Sequence, residues 1–168
     1  MTQRRAPNSD SFLCSLTVEQ SSRLLAMSSD VEFKRDEIIL RTAENSRLFY
    51  LLLTGSVAVE VVRAPFSVCV QALGPGDAFG WSALLRGSDT LFQVRAREAC
   101  RVACIDGRRL TALCRAEPEF GVTLLLRILA IVAARVHGTE ARLAEFCGIA
   151  PDEHNGSAPL AELRPGAD

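Results

Sequence analysis

Between Leu73 and Ala96 the chain reads LGPGDAFGWSALLRGSDTLFQVRA, and this stretch limits the possible folds more than any other. It closes one strand-like run, turns sharply at Gly-Pro-Gly, begins a short helix at Gly80-Trp81-Ser82 and returns to a strand from Leu91. With strand-type sequence on both sides, the helix is an excursion from a β-sheet. A Gly directly before a short apolar helix leaves backbone N–H groups unpaired. Such a nest suits a phosphate or another anion.

The surroundings agree. From Val31 to Asp106 the apolar period is two, and turn residues recur about every ten positions, as in a β-sandwich or roll. Strands are predicted near 31–34, 37–41, 47–54, 56–62, 67–73, 91–97 and 99–105. Gly55 supplies the positive φ of a tight turn between Leu53 and Val57. Before the roll, Phe12 to Met27 is predicted to be helical, with Thr17 able to cap a turn beginning at Val18-Glu19. After it, Asp106 opens a helix from Gly107 to Ala116, and Pro118 separates this from a long helix over Glu119 to Phe146. Residues 1–10 and the Gly-, Ala- and Pro-rich tail 148–168 read as unstructured, which leaves a domain over 11–147 with the roll at 31–106 and closing helices at 107–147.

The long helix is apolar almost all round from Val122 to Val136, where a surface helix shows one stripe. Arg127 and Arg135 interrupt it, so a membrane span is not expected. Two buried faces explain it, one against the roll and one against a second copy, giving a homodimer through 119–146. Gly138 weakens the helix by about 1 kcal/mol relative to Ala and suits a hinge.

The 168 residues carry a net charge of −1, so bulk charge calls for neither nucleic acid nor an anionic membrane. The six Cys form no C-x-x-C pair, and no apolar stretch follows Arg4 and Arg5. The thiols are expected to be reduced and mostly buried, in the cytoplasm. With His137 and His154 as the only histidines, no metal or iron–sulfur site is expected. No nucleophile elbow or carboxylate pair supports an enzyme.

The run Phe79-Gly80-Trp81-Ser82-Ala83-Leu84, followed by Thr90 and Val94, resembles the phosphate-binding cassette of cyclic nucleotide-binding domains. That family carries Phe-Gly-Glu-Leu-Ala-Leu here and then an Arg, small residues and a Val. Trp81 stands where its Glu binds the ribose 2′-hydroxyl, and Thr90 where its Arg pairs with the cyclic phosphate. The Leu53–Val57 turn is similar too, and Asp36 and Ala43 stand where the family usually has Gly. In the catabolite-activator branch the long helix carries an Arg and, four residues on, a Thr that reaches the adenine. Arg135 and Thr139 reproduce that spacing.

The resemblance covers about Leu13 to Cys147. It implies a mainly β fold with helices: a double-stranded β-helix, or jelly-roll-like β-roll, with one N-terminal and two C-terminal helices. It implies a ligand-sensing regulatory module that takes a cyclic nucleotide or another phosphate-bearing ligand and signals to a protein partner through the long helix. No DNA-binding half and no direct DNA contact are expected in this stretch. The candidate ligand residues are Phe79, Gly80, Trp81, Ser82, Ala83, Leu84, Arg86, Thr90, Leu91, Arg135 and Thr139. A second reading is a degenerate roll that binds no nucleotide and serves dimerisation or protein interaction.

Overall fold

The computed structural model describes residues 11–44, 46–85, 90 and 92–147. Eight strands form two four-stranded antiparallel sheets: β1 (Ser29–Phe33), β2 (Ile38–Leu40), β3 (Leu48–Thr54), β4 (Val57–Arg63), β5 (Phe66–Leu73), β6 (Ala78–Phe79), β7 (Gln93–Ala96) and β8 (Cys100–Asp106). Sheet A has the order β1-β8-β3-β6 and sheet B the order β2-β7-β4-β5. The helices are α1 (Val18–Ala26), α2 (Gly107–Ala116) and α3 (Pro118–Phe146).

Strand β3 shows why the sequence makes two cores. Tyr50 and Leu52 point between the sheets, where they meet Val57, Val59, Val94 and Val102. Phe49 and Leu51 point the other way, onto Phe12, Leu24, Leu110, Phe120 and Leu124. The two-residue period thus fills both faces of sheet A, one against sheet B and the other against the helices. The register Val59↔Val94 and Val57↔Ala96 aligns the inner face of sheet B in the same way.

Several boundaries differ from the sequence reading. The roll begins at Ser29, before Val31, because β1 pairs with β8 from Ser29↔Cys104 onward. The N-terminal segment is not one helix. A 3-10 turn at Leu13–Ser15 ends in extended backbone at Leu16 and Thr17, and α1 starts only after Thr17 caps it. The Thr17 hydroxyl accepts from Gln20 N–H while the Gln20 side chain accepts from Thr17 N–H, which fixes that break. The short β6 was not anticipated, and the return strand starts at Gln93; Leu91 lies outside the described residues. So do the segments 1–10 and 148–168.

Asp106 caps α2 as expected, accepting from Arg109 N–H at 2.9 Å. Gly55 has φ 85°, and Asp36 and Ala43 hold φ of 68° and 62°, the left-handed backbone that Gly adopts most cheaply. The expectation of mostly buried thiols is corrected. Cys100 and Cys104 are buried and Cys114 is half-buried, but Cys14, Cys69 and Cys147 are exposed. Cys69 sits on the edge strand β5, and Cys147 ends α3. Burial pushes the Cys104 thiol up to about 11, with the Asp30 charge adding to it, so it stays protonated.

Helix α3 runs unbroken through Gly138. By length and composition alone it could cross a membrane. Its Phe120, Leu124 and Ile128 are nevertheless packed into the core on sheet A, with Ile131 and Val132 beside them. Val122, Leu125, Leu126, Leu129, Val136 and Leu143 remain exposed. Ile128 and Val132 therefore face the protein's own core, and Leu125 and Leu129 face outward.

Candidate functional site

The Gly-Pro-Gly turn brings the chain from β5 to β6, closed by Gly74 N–H donating to Asp77 Oδ2 at 2.8 Å. β6 pairs Phe79 with Tyr50, and their rings stack 4.8 Å apart. Burial pushes the Tyr50 phenol up to about 12, with nearby Cys104 and Glu44 raising it further, so it stays neutral. At Gly80 the chain leaves the sheet with φ 74°, and a Cβ there would lie 2.6 Å from Tyr50 Cδ2 and 2.8 Å from the Leu48 carbonyl. Both the backbone angle and the close approach require Gly. One 3-10 turn, Trp81–Leu84, follows.

Beside this turn lies a cavity of about 280 Å³, lined by Phe79, Gly80, Trp81, Ser82 and Leu85 from the excursion, Leu40, Val59 and Val94 from the sheets, and Thr90, Phe92 and Arg135. Of the candidate residues, Phe79, Gly80, Trp81, Ser82, Thr90 and Arg135 come together here. Ala83 and Leu84 do not. They line a separate open cleft of about 960 Å³ between the 3-10 turn and α2, together with Arg47, Arg108 and Arg115. That cleft is the larger, but its arginines are exposed and it holds no buried polar group seeking a partner among the described residues. Thr139 is exposed, and its hydroxyl donates to the Arg135 carbonyl one helical turn back. Arg86 and Leu91 lie outside the described residues.

Besides the buried Ser82, two polar side chains set the chemistry of the cavity. Thr90 is buried, and its hydroxyl donates to the Arg41 carbonyl at 2.6 Å, with the Glu44 carbonyl 3.3 Å away. It pins the loop after β2 where the cassette resemblance places an Arg. Arg135 reaches the cavity from α3. Its Nε–H donates to Gln71 Oε1 on β5 at 3.1 Å, and its guanidinium carbon lies 5.8 Å from the Phe92 ring centroid. Its Nη2 is buried and has no hydrogen-bond partner among the described residues. Desolvation lowers the Arg135 pKa from its ordinary value, so its charge is held at a cost that a bound anion would offset.

Arg95 contrasts with it. Its Nε–H donates to Glu60 Oε2 at 3.2 Å, and Gln93 Nε2–H donates to the same oxygen at 3.0 Å. This cluster lies on the outer face of sheet B and is internally satisfied. The inward phase of β4 and β7 contained enough signal to find Val59 and Val94 in the cavity wall. Nothing in the sequence marked Gln71 as the partner of Arg135.

Comparison with known proteins agrees with this geometry. No curated protein sequence matches the chain. Among solved structures, the catabolite activator protein of Thermus thermophilus superposes with a TM-score of 0.68 at 19% identity, covering 81% of this chain and 62% of its own. The c-di-GMP-responsive global regulator CLP of Xanthomonas campestris gives 0.73 at 19% identity, covering 80% and 66%. A cyclic nucleotide-binding domain from Methylobacillus flagellatus KT gives 0.69 at 18% identity, covering 83% and 86%. The chain thus spans less than two thirds of the length of the first two regulators. These likenesses establish the shared fold. Residues 30–117, just over half of the chain and including all eight strands but the start of β1, match the family model of the cyclic nucleotide-binding domain, and the chain belongs to that family.

Proposed function

We propose that this domain is a sensor: a small anionic ligand enters the cavity beside the 3-10 turn, and its presence is passed through α3 to a partner. The observation that carries this reading is Arg135. It belongs to the helix that leaves the roll, yet its Nη2, without a partner among the described residues, is buried at the cavity. A ligand that engages it acts on α3 directly, which is how occupancy becomes a shift between helix positions. Nothing in the site calls for catalysis, and we place the protein in the cytoplasm.

The exposed face of α3 supports a homodimer. Val122, Leu129, Val136 and Leu143 recur every seven residues, with Leu125 between the first two, as in a two-helix seam. Such a patch is larger than monomers normally leave in water, and a two-fold axis makes it self-complementary. Thr139 falls on the same seam, so in a dimer it would face the partner helix.

The test is a thermal-shift screen of the full chain against cAMP, cGMP, cyclic dinucleotides and inorganic anions. A true ligand at about 100 times its dissociation constant should stabilise the fold by about 2.7 kcal/mol. Binding of cAMP is expected to be weak, because Trp81 and Thr90 supply neither the carboxylate nor the cation of the family pattern, each worth about 1.5–3 kcal/mol as a charged hydrogen bond. Sub-micromolar cAMP binding by calorimetry would refute that expectation. The second reading, an interaction module that binds no nucleotide, is favoured by Thr90 donating its proton to the main chain. It predicts no shift with any compound in the screen.

A further inference from the structure

We propose that the cavity takes a small organic anion with a flat apolar body, anchored by Arg135 of α3, and that it reads no sugar hydroxyl. This rests on the sensor reading and narrows it to a ligand class. The first ground is the polar inventory of the wall. Among the described residues that line the cavity there is one cation, Arg135, and no carboxylate. A ribose hydroxyl donates, and its usual strong acceptor is a carboxylate. Here that place is taken by an indole. Thr90 has already given its proton to the Arg41 carbonyl, so it cannot donate to an anion.

The second ground is the direction of the unmet demand. Arg135 is tied at Nε by Gln71 and faces the Phe92 ring, and Nη2 is buried without a partner among the described residues. The Gln71 amide oxygen is neutral, so it leaves the charge uncompensated. A guanidinium with one side satisfied and one open is arranged to pair with a carboxylate or phosphate oxygen. The third ground is the rest of the wall. Leu40, Val59, Phe79, Phe92 and Val94 make it apolar, and Trp81 adds a flat face. The volume of about 280 Å³ lies just below the roughly 300–1,000 Å³ of ordinary small-molecule sites, so the body is compact. The anion is thus held from α3 rather than from the sheet, which joins binding and signalling in one residue.

The experiment titrates the full chain with phenylpropionate, its neutral amide, cAMP and cAMP lacking the 2′-hydroxyl. Affinity is read by calorimetry and by emission of Trp81, the only Trp in the chain. The acid should bind at least about tenfold more tightly than the amide. Arg135→Gln should erase that preference by weakening the acid far more than the amide, and Arg135→Lys, which keeps the charge, should retain part of it. The two cyclic nucleotides should bind within about twofold of each other, since a site that reads a hydroxyl rejects its deletion by orders of magnitude. An acid no better than its amide overturns the proposal, as does a preference of more than about tenfold for the 2′-hydroxyl. Those results leave the sensor reading standing. Silence from every probe, cyclic nucleotides included, overturns both.

Discussion

Helix α3 meets the roll in two unlike ways. Against sheet A it packs Phe120, Leu124 and Ile128 into a core shared with α1, α2 and β3. Against sheet B it makes the polar contact of Arg135 with Gln71, with Phe92 beside it. The first contact is apolar and shared among many atoms. The second depends on one side chain whose charge is only partly met. An element fixed at one end and lightly held at the other can transmit a change in the light contact without losing its place. The anchoring end also ties to its neighbours by charge: Arg23 of α1 pairs with Glu117 at the start of α3.

The largest effect is expected on the side of α3 that touches neither sheet. Changing Leu129 and Val136, 61% and 49% exposed, together to Asp should leave a folded monomer. Each loses about 1.5–3 kcal/mol of burial per copy at the proposed seam, before the cost of charge. Light scattering at micromolar concentration checks this; a native chain that is already monomeric would refute the seam. Next comes the anchor. Leu124→Ala should cost about 2–5 kcal/mol in urea unfolding, because the side chain is fully buried and its neighbours come from several elements. A cost below about 1 kcal/mol would mean that the helix is not anchored there.

The two arginines sharpen the contrast further. Arg95→Leu removes the cation paired with Glu60, leaving that carboxylate only its neutral donors, and should destabilise by about 1 kcal/mol. Arg135→Leu removes a desolvated charge with a neutral partner, and should be neutral or stabilising by up to about 1 kcal/mol in the ligand-free chain. Equal losses at the two positions would show that Arg135 is a structural residue.

The fold was legible because its signals are local and repeated. The alternation of β3 and β8, the Leu53–Val57 turn and the Asp106 cap each name one conformation. Thr17 does cap α1 at Val18 as expected, but the 3-10 turn before it escaped, because the apolar spacing of Leu13, Leu16 and Leu24 continues across the break. The site was half legible. Residues on the excursion are fixed by Gly80 and came together. Ala83 and Leu84 did not, because a 3-10 turn sends successive residues to different sides. The partner of Arg135 was invisible, since Gln71 is a polar residue on an edge strand whose pairing depends on where a distant helix crosses.

The smallest expected effect tests the satisfied cluster on sheet B. Burial works against the charge of Glu60, but hydrogen bonds from Gln93, Arg95 and Ser67, with the Arg95 charge, together outweigh it and hold the carboxyl below its ordinary value of 4.5. A carboxyl depressed in the folded state binds fewer protons there than when unfolded. Its stabilisation is therefore complete above the ordinary value and is lost as pH falls through the folded value. Glu60→Gln should cost about 1 kcal/mol at neutral pH, since the pair is partly open to solvent. The difference from the native chain should shrink as the solution is acidified below the ordinary carboxylate range. Urea unfolding of both chains across that range is the measurement. A gap that stays constant with pH would assign the loss to packing rather than charge, and would remove the ground for treating Arg95 as the paired counterpart of Arg135.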